Sequence, residues 1–231
     1  TLLINHLPYC IQMTFKLPKL IATSVVRGSV QGESHGGIYT VDFDKKEAEQ
    51  HVDWNTSDID FEGRGADRGL RGICFHDEYI YIAASDELFC YNKNFESNNS
   101  FKNRYLKHAH EICRIEKRIF LTSTGFDSLL SFNLETKRFD WGFQLRREYD
   151  QWTGGLFDPR RSIGPRPVND FHINMVDVNE DGIFLSGLKT EGLLHIGADN
   201  KVRKVCELPL GTHNPKFWKN GIIFNDTASD C

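Results

Sequence analysis

The sequence predicts an all-β fold, a β-propeller of four-stranded antiparallel blades, on three observations. A phrase of short strands recurs about every forty residues. Its strands are separated by tight turns, Asp181-Gly182 and Asn220-Gly221 among them, of the kind that close hairpins. The first and last copies are incomplete in complementary ways, as expected where strands from both chain ends complete one blade and remove a sheet edge.

Taken in order, the first copy offers Leu20 to Val26, Gly37 to Asp42 and His51 to Trp54, which read as second, third and fourth strands without a first. The second copy opens at Arg71 and continues through Tyr79 to Asp86 and Leu88 to Tyr91. The third opens at His110, followed by Arg118 to Asp127, Leu129 to Asn133 and Phe139 to Trp141. The fourth opens at His172, with Ile183 to Gly187, Gly192 to Ile196 and Val202 to Val205; the fifth holds only His213 to Trp218 and Ile222 to Asp226. Openings at 71, 110, 172 and 213 give periods of 39, 62 and 41 residues, and the long one contains an insertion, 146–170. The expected ring is therefore incomplete, with four to five blades of six. Residues 13–231 are expected to form one propeller domain, truncated at its C-terminus, and residues 1–12 an extension outside it.

Composition narrows the function. Of 231 residues 39% are hydrophobic and 26% charged, with a net charge of −4, so a generic electrostatic grip on nucleic acid is excluded. No window approaches the roughly 18 apolar residues of a membrane span, and no signal peptide is legible at the start. A cytoplasmic protein is the simplest expectation. The six cysteines show no CxxC spacing and mostly fall in strand-like runs, where buried free thiols are the common outcome.

In a blade the strands run alternately up and down, so loops entering first strands and loops joining second to third strands share one face. The unusual residues collect there. Arg64, Arg68 and Arg71 stand in a glycine-spaced loop, where guanidinium forks suit a carboxylate or phosphate or else pair with Glu62, Asp67 and Asp86. His110, His172 and His213 begin three first strands in one apparent register. They either converge on a divalent metal ion, with Asn174 and Asn214 adding oxygen ligands or orienting the rings, or are polar residues bonded to neighbouring loops. His108 stands in the same loop as His110. Cys74, Cys113 and Met175 share a second apparent register, read as core rather than as soft ligands. Glu111 and Asp226 are the carboxylates placed to act as general acid or base; the alternative for Asp86, Asp127 and Asp226 is a turn aspartate bonding its own loop. The insertion, with Trp152, Phe157, Arg160, Arg161 and Arg166, is long for a connection and reads as a lid or as a surface for a protein partner.

At Glu33 to Gly37, His110-Glu111-Ile112, Ser123 to Asp127, His172-Ile173-Asn174 and His213-Asn214 the chain resembles a group of bacterial propeller proteins, and more distantly the six-bladed gluconolactonase-like and NHL-repeat propellers. The resemblance covers residues 13–231. It implies one divalent ion in the channel, held in gluconolactonases by a carboxylate and asparagines for the hydrolysis of lactones or phosphoesters. This chain offers mainly histidines instead. Two functions are thus expected: a metal-dependent hydrolase, lyase or oxygenase acting on a small anionic substrate, or a non-catalytic module binding a ligand or protein on the same face.

Overall fold

The computed structural model describes residues 17–30, 32–55 and 69–227. The expected extension 1–12, with Arg64 and Arg68, lies outside the described residues.

Among the described residues five antiparallel sheets follow one another along the chain. The first is β1 (Leu20–Thr23), β2 (Gly37–Asp42) and β3 (Glu47–Asp53). The second is β4 (Leu70–His76), β5 (Tyr79–Ala84), β6 (Glu87–Asn92) and β7 (Ser97–Lys102). The third contains β8 (Ile112–Ile115), β9 (Arg118–Ser123), β10 (Ser128–Asn133), β11 (Arg138–Glu148) and β12 (Gln151–Phe157). The fourth is β13 (Ile173–Asn179), β14 (Gly182–Gly187), β15 (Gly192–Ile196) and β16 (Val202–Glu207), and the fifth is β17 (Thr212–Trp218) and β18 (Gly221–Asp226). In each of the last four sheets the strands pair in chain order, and β4, β8, β13 and β17 pack beside one another in succession. The fold is a β-propeller. The expectation of four to five blades in this chain is met by five sheets. Among the described residues no helix is long and apolar enough to cross a membrane.

The burial pattern explains why these runs become these strands. Middle strands such as β5 (YIYIAA) and β9 (RIFLTS) are buried at five of six positions, because neighbouring blades cover both faces. Outer strands such as β7 (SNNSFK) and β16 (VRKVCE) are mostly exposed, and their polar residues blunt the open edge. The core is divided among the blade interfaces. Ile112, Leu121 and Phe132 meet Cys74, Tyr81 and Leu88 between the second and third sheets. Phe120, Leu129 and Phe143 meet Val176, Leu185 and Leu194 between the third and fourth.

Two expectations are corrected. The insertion 146–170 is not a free loop throughout: β11 runs on to Glu148, turns at Tyr149 and Asp150, and returns as β12, giving the third blade a fifth strand. The apparent registers also shift. The hairpins close at His76↔Tyr79, Ile115↔Arg118, Asn179↔Gly182 and Trp218↔Gly221. Counted back from these closures, Arg71, His110, Asn174 and His213 are equivalent, and His172 is two residues early; its equivalents are Gly69, His108 and Gly211. By the same count Cys74 and Cys113 align with Asp177 and Lys216, not with Met175, which is fully buried against Phe184 and Leu193.

Candidate functional site

A cavity of about 500 Å³ opens where the inner ends of all five sheets meet, and its walls include Thr23, Arg71, Gly72, His110, Glu111, Asn174, His213, Asn214 and Asn225. The polar side chains arrive there through a repeated irregularity. Pairing slips between Leu70 and Ile73 in β4, between Ile173 and Met175 in β13, and between His213 and Lys216 in β17. A bulge of this kind re-aims the side chain it carries. In the third blade Thr122 makes the equivalent adjustment, its Oγ1 accepting the N–H groups of both His110 and Glu111 at 3.0 Å. Just before these strands the backbone turns left-handed, at His108 (φ 56), His172 (φ 54) and Gly211 (φ 87). Two of these are not glycine, a strained choice that clusters at functional sites.

His110 and His213 are held alike. Nδ1 of His110 lies 2.8 Å from the carbonyl oxygen of His108 and 2.9 Å from Oγ1 of Thr124. Nδ1 of His213 lies 3.2 Å from the carbonyl oxygen of Gly211 and 3.2 Å from Oγ1 of Thr227. A carbonyl can only accept, so Nδ1 carries the proton in both rings. The threonine hydroxyls spend their own protons on the carbonyls of Ile173 (2.5 Å) and Gly211 (2.8 Å), and therefore accept from the imidazoles. In the neutral form of each ring the lone pair is therefore on Nε2. Burial, then Arg71, holds the His110 imidazole down at about 3, despite the carbonyl of His108, so the ring stays neutral at ordinary pH.

Asn174 is 4% exposed, and among the described residues neither its amide oxygen nor its amide nitrogen finds a partner. Glu111 packs over Gly72, with Oε1 accepting the N–H of Ile112 at 3.1 Å. Burial raises its carboxyl above the usual range, opposed by Lys216 and by the Ile112 N–H. Asp127, buried and left-handed (φ 42), accepts the N–H groups of Asp170 at 2.6 Å and Phe171 at 3.1 Å and so fixes the segment that presents His172. Burial pushes its carboxyl up to about 6 against those donors.

Of the residues singled out from sequence, Arg71, His110, Glu111, Asn174, His213 and Asn214 come together on the cavity wall. His108 contributes its carbonyl, and His172 stands beside His110. Asp226 ends β18 opposite Thr212, off the lining, and Asn225 lines the cavity in its place. Among the described residues no group of three or more His, Cys, Asp or Glu is placed to hold a metal ion. Sequence reasoning missed Thr124 and Thr227. A signal existed, because each follows its histidine by fourteen residues.

No family model and no curated protein matches the chain. Among solved structures it is similar to virginiamycin B lyase from Staphylococcus aureus, at 10% identity over 81% of this chain and 69% of that one, with a TM-score of 0.48. It is also similar to a chain of the mitotic checkpoint complex, at 9% identity over 97% and 79%, with a TM-score of 0.49. Glutaminyl cyclase from Myxococcus xanthus is similar at 10% identity over 89% and 91%, with a TM-score of 0.42. At such identities nothing about the site rests on these likenesses.

Proposed function

We propose that the cavity binds a small anionic ligand that also carries hydroxyl or N–H groups, such as a hydroxylated carboxylate. The observation that supports this most directly is Asn174: a buried amide with no partner among the described residues, on the wall of a polar cavity, asks for a donor and an acceptor from what enters. Arg71 supplies the positive charge for the anion. The Nε2 lone pairs of His110 and His213 accept from the ligand's hydroxyl groups, and Glu111 is the group on this wall suited to giving or taking a proton.

A thermal-shift series of hydroxylated carboxylates and sugar acids tests the reading. One or more should raise the melting temperature of the wild-type chain, with the shift lost in Arg71→Gln and in His213→Phe. Shifts of equal size in both variants would exclude this cavity as the site.

A second reading is favoured by the same tautomers. Metal-ligating histidines commonly donate Nδ1–H to a carbonyl, the arrangement found at His110 and His213, and each would offer Nε2 to a divalent ion that activates water or polarises a substrate. Calorimetric titration with Zn²⁺ and Co²⁺ checks it, and heats unchanged by His110→Phe would dismiss it.

A further inference from the structure

The β11–β12 hairpin and the return segment 158–170 enclose a second polar region away from the channel. Two cavities, of about 570 and 340 Å³, share Gln144, Arg146, Gly164 and Pro165 and so form one trough. Gln144, 7% exposed, is the hinge of its wall. Its Nε2 donates to the carbonyls of Phe126 (3.2 Å) and Arg166 (3.4 Å), and its Oε1 accepts from Nε (3.3 Å) and Nη2 (3.2 Å) of Arg146. The Arg146 guanidinium is therefore oriented by a neutral acceptor that leaves its charge uncompensated. The ion pairs found here join Arg147 to Asp150, and Arg160 and Arg161 to Asp158; among the described residues none engages Arg146 or Arg166. Across both cavities Arg146, Arg147, Arg161 and Arg166 face Glu148, Asp158 and Asp170, an excess of one cation, and Arg146 and Arg166 are the two of these arginines that no carboxylate engages among the described residues.

The hairpin tip adds apolar surface. Tyr149 and Asp150 occupy the left-handed positions of the turn (φ 48 and 64), where Asn-Gly is preferred, and the Tyr149 ring is fully exposed. Leu156 and Ile163 are also exposed, at 54% and 87%. We propose that this trough docks an extended acidic segment of a partner protein, its carboxylates on Arg146 and Arg166 and its apolar side chains on Leu156 and Ile163. Charge complementarity commits the occupant: two guanidinium groups that no carboxylate engages among the described residues, on a chain whose net charge of −4 disfavours a dense polyanion such as nucleic acid. Two adjoining cavities, with Leu156 and Ile163 on the wall of one, suit an extended peptide better than a compact anion.

The test uses the whole chain and a fluorescein-labelled peptide of alternating Glu and Leu, followed by anisotropy. Binding should weaken with added salt and fall about tenfold or more in the Arg146→Gln, Arg166→Gln double variant. Arg203→Gln, which removes an exposed charge on β16, should leave it unchanged. If the double variant does not fold, Arg166→Gln alone carries the comparison. Equal binding by the trough variant overturns the proposal. So does an equal loss in Arg203→Gln, which would indicate unspecific attraction, or displacement by an equal concentration of pyrophosphate, which would indicate a small-anion site.

Discussion

The imidazoles of His110 and His172 stand edge to face, with ring centroids 5.3 Å apart and planes at 70°, although they occupy different positions in their blades. His110 belongs to the row that lines the cavity, and His172 to the left-handed row before the strands. Their contact joins the two rows across the interface between the third and fourth blades.

The neutral state of His110 gives stability a pH dependence. Its folded value of about 3 lies below its unfolded one, so between about 3 and 6.5 the unfolded chain binds more protons, and acidification through that window destabilises the fold by up to about 1.4 kcal/mol per pH unit. His110→Gln should flatten this slope in urea titrations from pH 4 to 7. An unchanged slope would mean the ring is charged in the folded protein.

Asp127 acts with the opposite sign. Its folded value of about 6 lies above its unfolded one, so the folded chain binds more protons between about 3.8 and 6, and this contribution to stability is lost as pH rises through that range. Asp127→Asn should therefore make stability rise more steeply with pH than in the wild type. Asp127→Ala, which leaves the Asp170 and Phe171 N–H groups without their acceptor, should cost about 2 to 3 kcal/mol at pH 7 by denaturant melts.

Asn174→Leu separates stability from binding. An apolar side chain of similar size in place of an idle buried amide should raise stability by about 1 kcal/mol or more in urea melts, and remove any ligand-induced shift. A loss of stability would show that the amide has bonding partners in solution.

Gly72→Ala probes the seat of Glu111. A Cβ there would stand 2.6 Å from the Ile112 nitrogen and 2.8 Å from Glu111 Oε1, so β4 and the third blade must part. We expect a loss of about 1 to 3 kcal/mol in melts, with Gly142→Ala as a second glycine crowded instead by Phe157.

The sequence by itself determined the repeat, the strand runs and the face on which the polar residues gather. Those follow from local physics: runs such as Tyr79–Ala84 can satisfy their backbone only as strands buried between blades, and the turn at Asp181-Gly182 can close only a hairpin. Tertiary structure alone decided the register. His172-Ile173-Asn174 and His213-Asn214 look alike as text, and only the pairing from Asn179↔Gly182 inward shows that Asn174, not His172, matches His110 and His213. It also decided which ring nitrogen is free, because that depends on carbonyls and on Thr124 and Thr227 brought in from the next turn of the chain. The added strand Gln151–Phe157 escaped sequence reading for the same reason: Gln-Trp-Thr-Gly-Gly-Leu-Phe has weak strand character, and it becomes a strand because β11, held in the blade by β10, presents a free edge for it to pair with.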